Sequence, residues 1–391
     1  MTSREWEMHL TRRALLGRSM ALGATLTGAG TLLAGCGSSK SPGSSGDAKK
    51  GGTINYYSWQ GYEFPFPEAQ KFFREHDIKL KPSFISDGAE TLTKFTTGGG
   101  KGQYNLSTFN APYGPYFKKL DILQPLDMSK IPAYQDQFFP FFREGATADR
   151  YWRAGGEQLG IPFSWAYAAT NYDASRVPAP KKATDLLDPP YKGKIALSND
   201  STGLIFQGAL IAGIANEEGH FTPQQLEQIF DVLDEFKAAS RKVGVAAGDV
   251  GNLFQNGEIV AAMTTWPGLS SIMKGAKAKD VKSVLPEEGA LAYCDSYFIP
   301  AGAKDTDVVY QLLNEVCKPE MQAAIAKNVI TGITSEEALP LLDPASRKLV
   351  PYDSLTSFFE KAPLFGLPLE PPKGITSLAD WQKRWEQFLA D

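Results

Sequence analysis

Residues 159–172 read Leu-Gly-Ile-Pro-Phe-Ser-Trp-Ala-Tyr-Ala-Ala-Thr-Asn-Tyr, an apolar run with no turn signal in its middle. It is too long for one ordinary strand of about 5 to 6 residues. An extended segment of that length can leave one sheet and enter another, so the run predicts two lobes joined near Ala169. Upstream, 53–57 (TINYY) is largely β-branched or aromatic and predicts a first strand ending at Ser58-Trp59. A helix through Pro67 to Glu75 and a second strand near Ile78 to Ile85 should follow. This alternation of strand and helix argues for α/β sheets, whose ligands sit at the carboxyl ends of strands.

Downstream of the run, 189–200 (PPYKGKIALSND) predicts a loop and then a strand ending at Asn199-Asp200. Thr222-Pro223-Gln224-Gln225 opens a helix, with Thr222 as N-cap, Pro223 in the first helical position and Gln225 completing a capping box. Leu226, Ile229, Phe230 and Leu233 then supply one apolar face. Ile259 to Thr265 is a short apolar strand with Trp266 at its end. Residues 288–300 (EGALAYCDSYFIP) form another strand, carrying Asp295 among aromatic residues with no Lys or Arg in the segment. A buried carboxylate without a partner costs roughly 2 to 5 kcal/mol, so Asp295 demands one. No internal repeat is visible.

The chain has 391 residues, 21% charged, with a formal net charge of −4. The first 35 carry four Arg and two Glu, so the remainder stands at −6. A mildly acidic body has no electrostatic footprint for nucleic acid. The N-terminus reads as a targeting segment, residues 1–35. Thr11-Arg12-Arg13 is a twin-arginine patch, Met20 to Leu33 a weakly apolar stretch too short to span a bilayer, and Leu33-Ala34-Gly35-Cys36 a lipobox. Cys36 is the expected lipidation site, and 36–52, rich in Gly and Ser, the expected flexible tether. Cys294 and Cys317 would then lie in an oxidising compartment, as a disulfide or as two buried thiols.

The catalytic and metal motifs fail. Gly98-Gly99-Gly100-Lys101-Gly102 lacks the spacing and the Ser or Thr of a phosphate loop. His76 and His220 have no second ligand at metal spacing. No nucleophile elbow appears. Neither a cofactor nor catalysis is expected. What remains are aromatic rings and carboxylates at strand ends: Trp59, Trp266, Tyr293, Asp295 and Asp200. They would suit core packing and helix caps, and equally a box for an organic cation. An ammonium over an indole gains roughly 0.5 to 2 kcal/mol, and a desolvated carboxylate adds a directional charge-assisted bond. On that reading the partner of Asp295 arrives with the ligand.

Several stretches make the chain similar to the spermidine/putrescine-binding family of bacterial ABC-importer solute-binding lipoproteins. They are "YYSWQGY", "GIPFSWAYAATNYD", "PPYKGKIALSND", "NGEIVAAMTTWPG" and "EEGALAYCDSYFIPAGAK". The resemblance implies an α/β two-lobed periplasmic-binding-protein fold with two crossovers between lobes and a ligand cleft between them. The expected boundaries are 53–169 plus 296–333 for one lobe and 170–295 plus 334–391 for the other. It further implies capture of a polyamine or similar small amine by a monomer, delivered to ABC permease subunits. The protein would be held by its lipid in the periplasm or on the outer face of the cytoplasmic membrane after Tat-like export.

By the same resemblance, Trp59 is the stacking Trp, followed by Gln60. Trp266 is the second Trp, Tyr293 lines the slot, and Asp295 and Asp200 recognise amines. Asn110 and Tyr113 stand where the family has a Ser/Tyr pair. The family's further Glu after the second Asp is missing from Ser201-Thr202-Gly203-Leu204-Ile205, so the Asp200 end is weakened. A shorter amine or an amino acid derivative fits that change, and an enzyme on the same scaffold is the remaining alternative.

Overall fold

The computed structural model describes residues 51–85, 88–272, 280–368 and 370–390. The targeting segment, Cys36 and almost all of the tether lie outside the described residues. The strands are β1 (Gly52–Ser58), β2 (Ile78–Phe84), β3 (Leu106–Asn110), β4 (Arg153–Ala154), β5 (Glu157–Gln158), β6 (Ile161–Tyr167) and β7 (Ala169–Asp173). They continue with β8 (Ile195–Ser198), β9 (Ser240–Val245), β10 (Ala261–Thr265), β11 (Val281–Val284), β12 (Ala292–Phe298) and β13 (Gly332–Ile333). β4 and β5 form a small hairpin by themselves.

Two mixed sheets carry the rest. The first has the order β13-β6-β12-β3-β1-β2 and the second β11-β7-β10-β8-β9. In the first, β1 runs parallel to β2 and β3, while β12 is antiparallel to β3 and β6. In the second, β8 runs parallel to β9 and β10, and β7 is antiparallel to β10 and β11. Every residue of β6 and of β7 is buried, which explains the unbroken apolar reading of 159–172: both strands are covered on both faces.

The run breaks at Ala168, the only residue between β6 and β7. Its N–H donates to the Leu291 carbonyl at 2.8 Å, and the Ala292 N–H donates to the Pro363 carbonyl at 3.0 Å. Three linking segments therefore lie side by side where the chain passes between lobes. The expected passage at Asp295 falls instead between β11 and β12, because the register of β12 against β3 and β6 places Asp295 inside the first sheet. Residues 334–364 also differ from the expected boundary. Ala338, Val350, Tyr352, Phe358, Phe359 and Leu364 pack into the first core, and only from Phe365 does the chain join the second, ending in the helix Leu378–Ala390.

The first core is aromatic. Phe163 stacks on Tyr297 at 3.9 Å between centroids, and Phe64 stacks on both Tyr56 and Tyr297. The second gathers Leu197, Phe206, Ile229, Phe230 and Trp381. Its helix Pro223–Ala239 begins as the sequence suggested. Thr222 Oγ1 accepts from the Gln225 N–H at 3.2 Å, and Gln225 Oε1 accepts from the Thr222 N–H at 2.9 Å. No helix among the described residues is long and apolar enough to cross a membrane.

Gly289 lies in the second linking segment with φ +93°, where an added Cβ would collide with the Lys361 carbonyl. Gly289→Ala should therefore lower stability by more than about 1 kcal/mol in urea denaturation. A wild-type midpoint would show that the linkers yield freely.

Candidate functional site

Asp295 sits in the middle strand of a cross-strand row. Its register partners are Asn110 on β3 and Ser164 on β6. Directly opposed residues share a face of the sheet. The pairing of β12 with β6 then slips between Asp295 and Ser296, with Phe163 as the extra residue. A bulge of this kind re-aims neighbouring side chains, and bulges are common beside binding sites. The row lies at the carboxyl ends of β1 and β3, where an α/β sheet presents its ligand crevice.

Asp295 is only 4% exposed. Tyr62 OH donates to Oδ2 at 2.6 Å and Asn110 Nδ2 donates to Oδ1 at 3.3 Å. Both donors are neutral, and no ion pair involves Asp295 among the described residues. Burial lifts its carboxyl to about 6, against the lowering pull of Tyr62 and Asn110. Two neutral hydrogen bonds do not replace lost hydration around a charge.

The sequence reading missed Tyr62. Its position comes from the turn after β1: Gly61 takes φ +100°, the Tyr62 N–H donates to the Trp59 carbonyl at 3.2 Å, and the Gly61 N–H donates to Glu63 Oε2 at 2.6 Å. The ring then meets Phe163 edge to face at 5.1 Å. The signal available was an aromatic residue just beyond a glycine at a strand end, within "SWQGY". Ser164 and Thr331 were not among the expected site residues. Ser164 Oγ stands 3.4 Å from Tyr62 OH and 3.0 Å from Thr331 Oγ1.

Tyr293, two residues before Asp295, is half-buried. Its hydroxyl is held well above the ordinary range, first by burial and then by the charges of Asp295, Tyr167 and Asp200, so it lies within electrostatic reach of both carboxylates. Asp200 caps the helix Ser201–Ile211, its Oδ1 accepting from the Gly203 N–H at 2.9 Å. Asp200 is exposed; desolvation raises its carboxyl above the ordinary range, partly offset by that N–H. A side chain at Gly203 would collide with the carboxylate.

Trp266 follows β10 at the carboxyl end of the second sheet and is half-buried. Trp59 is packed at the edge of the first core, and Gln60 is exposed on the turn. Tyr113 is half-buried against both cores. Asp295 and Asn110 are thus joined by a hydrogen bond, and Tyr293 lies two residues before Asp295 on β12. Among the described residues Gln60 makes no bond to that group. Cys294, on the opposite face of β12 from Asp295, and Cys317 are both buried free thiols.

Residues 69–347 match the model of the bacterial extracellular solute-binding protein family. The spermidine/putrescine-binding periplasmic protein of Escherichia coli K12 is 25% identical over 305 residues, covering 77% of this chain and 83% of its own. The fold is shared with the PotD substrate-binding protein of a spermidine/putrescine ABC transporter from Streptococcus pneumoniae, solved with calcium and HEPES. That likeness has a TM-score of 0.68 at 21% identity, over 86% of this chain and 97% of that one. It is shared too with the TpPotD lipoprotein of Treponema pallidum, at TM-score 0.68 and 17% identity, over 87% of this chain and 100% of that one.

Because the folded Asp295 carboxyl titrates above its ordinary value, its contribution to stability is fully present below about pH 4 and is lost as pH rises through about 6. A shift of that size corresponds to roughly 3 kcal/mol. Ligand-free Asp295→Asn should match wild type near pH 4 and be more stable than wild type by up to about 3 kcal/mol at pH 7. Parallel pH–stability curves from chemical denaturation would show that the carboxylate carries no such penalty.

Proposed function

We propose that this chain, which belongs to the bacterial extracellular solute-binding proteins, is the capture component of an ABC importer for a small amine cation. It is a binding protein and not an enzyme. The observation that carries the reading is Asp295: a residue 4% exposed, its carboxylate met by two neutral donors and, among the described residues, by no ion-pair partner. An ammonium held there would supply the missing charge. Tyr293, Trp266 and Trp59 would give the ligand's methylene stem aromatic walls, and Asp200 would face its far end.

Curated relatives named for spermidine and putrescine support the polyamine class. The lipobox and twin-arginine patch support display from a lipid anchor outside the cytoplasmic membrane, from which the loaded lobes would meet the permease. An amino acid ligand would need a cation for its carboxylate. Among the described residues no Lys or Arg forms an ion pair with Asp295 or Asp200, which favours the amine. Because ligand contacts to both lobes favour their closure, capture would shift the open–closed balance.

Calorimetry with putrescine and spermidine tests this directly. Asp295→Ala should weaken binding by about 2 to 5 kcal/mol, because the ammonium would be buried unpaired. Affinity unchanged in that variant removes Asp295 from the site. Cation binding also requires the ionised carboxylate, so wild-type affinity should fall about tenfold per pH unit below about 6. A flat profile from pH 5 to 8 would contradict a buried carboxylate as the amine's partner.

A further inference from the structure

Trp266 does more than present a ring. Its indole Nε1–H crosses from the second lobe to donate to the Ile330 carbonyl of the first at 2.9 Å. Ile330 ends the π-helical turn Ala326–Ile330 and is held at φ +58°, a conformation that β-branched residues rarely adopt. π-turns and such backbone outliers concentrate at functional and switching segments, and they persist only where surroundings over-determine them. Here Thr331, next in sequence, is fixed by its Oγ1 to Ser164 Oγ at 3.0 Å and to the Trp165 carbonyl at 3.2 Å.

The donor side is equally constrained. Thr264 is also left-handed, at φ +52°, with its Oγ1 2.7 Å from Ser198 Oγ. Asn171 Nδ2 donates to the Trp266 carbonyl at 3.1 Å, and Ser283 Oγ lies 2.6 Å from Asn171 Oδ1 and 2.9 Å from the Pro267 carbonyl, with one hydrogen to share between them. An independent observation comes from Gly268. A Cβ there would stand 2.6 Å from the Ile330 carbonyl oxygen and overlap the Trp266 indole, so only glycine leaves room for the contact.

We propose that Trp266, Gly268 and Ile330 form a clasp between the lobes, in which the indole N–H of one lobe seats on a strained carbonyl of the other and fixes the ring's orientation. The purpose of the clasp rests on the capture reading above; its existence does not, and it can be tested in ligand-free protein. Trp266→Phe keeps an aromatic wall and removes the N–H. Gly268→Ala keeps the indole and pushes it out of its seat.

Small-angle X-ray scattering of ligand-free wild type and both variants, with putrescine as the probe for release kinetics, tests the clasp. Both variants should be more expanded than wild type, and putrescine should leave each about five- to tenfold faster, the loss expected for one hydrogen bond and its packing. Scattering curves of both variants that superimpose on wild type would overturn the clasp. If putrescine binds none of the three, the ligand assignment fails while scattering still decides the clasp. Should either variant misfold, hydrogen exchange of the wild-type Trp266 indole N–H decides instead: protection supports the clasp, and exchange at the rate of an exposed indole refutes it.

Discussion

A charge removed from water must be met by something, and among the described residues Asp295 is met by two neutral donors. The rest of the site follows from that constraint. The Asp295 carboxyl is raised to about 6 because burial outweighs what Tyr62 and Asn110 return. Such a group is unfavourable in the empty protein and becomes favourable when an external cation arrives. Structural carboxylates behave differently. Asp343, mostly exposed and accepting from the Ala345 and Ser346 N–H groups, is held below the ordinary range by those bonds.

The fold builds this exception with ordinary means. β12 lies between β3 and β6, so Asp295 has a neighbour on each side. The slip in register at that point and the matching slip between Ala262 and Thr265 both fall where the sheets end towards the candidate site. Each lobe therefore relaxes its regular pairing beside a candidate ligand residue. Between lobes, the linkers at Ala168, Leu291–Ala292 and Pro363 are bonded edge to edge. Tyr116 OH, from the first lobe, donates to the Leu367 carbonyl at 2.9 Å, and Arg150 pairs with Glu218 at 2.9 Å.

What the sequence revealed depended on how local the cause was. β1 and the Thr222 capping box rest on neighbouring residues, and they were legible. The two-lobed arrangement was legible from 159–172 because continuous burial writes itself as continuous apolarity. The exact break at Ala168 was not, since it depends on a hydrogen bond to Leu291. The packing of residues 334–364 on the first core is not legible locally, because an amphipathic segment announces that it packs, and not on what. Asp295 was conspicuous as a carboxylate inside an apolar strand. Tyr62 carried only the local signal of an aromatic residue beyond a glycine, because it reaches Asp295 across 233 positions of sequence, through a turn in which Gly61 takes a positive φ. Asp200 read both as cap and as ligand group, and the cap is what its hydrogen bond with Gly203 displays.

The most direct measurement is a carbon-13 NMR titration of the Asp295 carboxyl, assigned with the Asp295→Asn variant, in empty protein and with saturating spermidine. A carboxylate awaiting an external cation should titrate near 6 when empty and move below the ordinary carboxylate range once the amine is bound. A carboxyl that titrates in the ordinary range when empty, or that ignores the amine, would contradict the account.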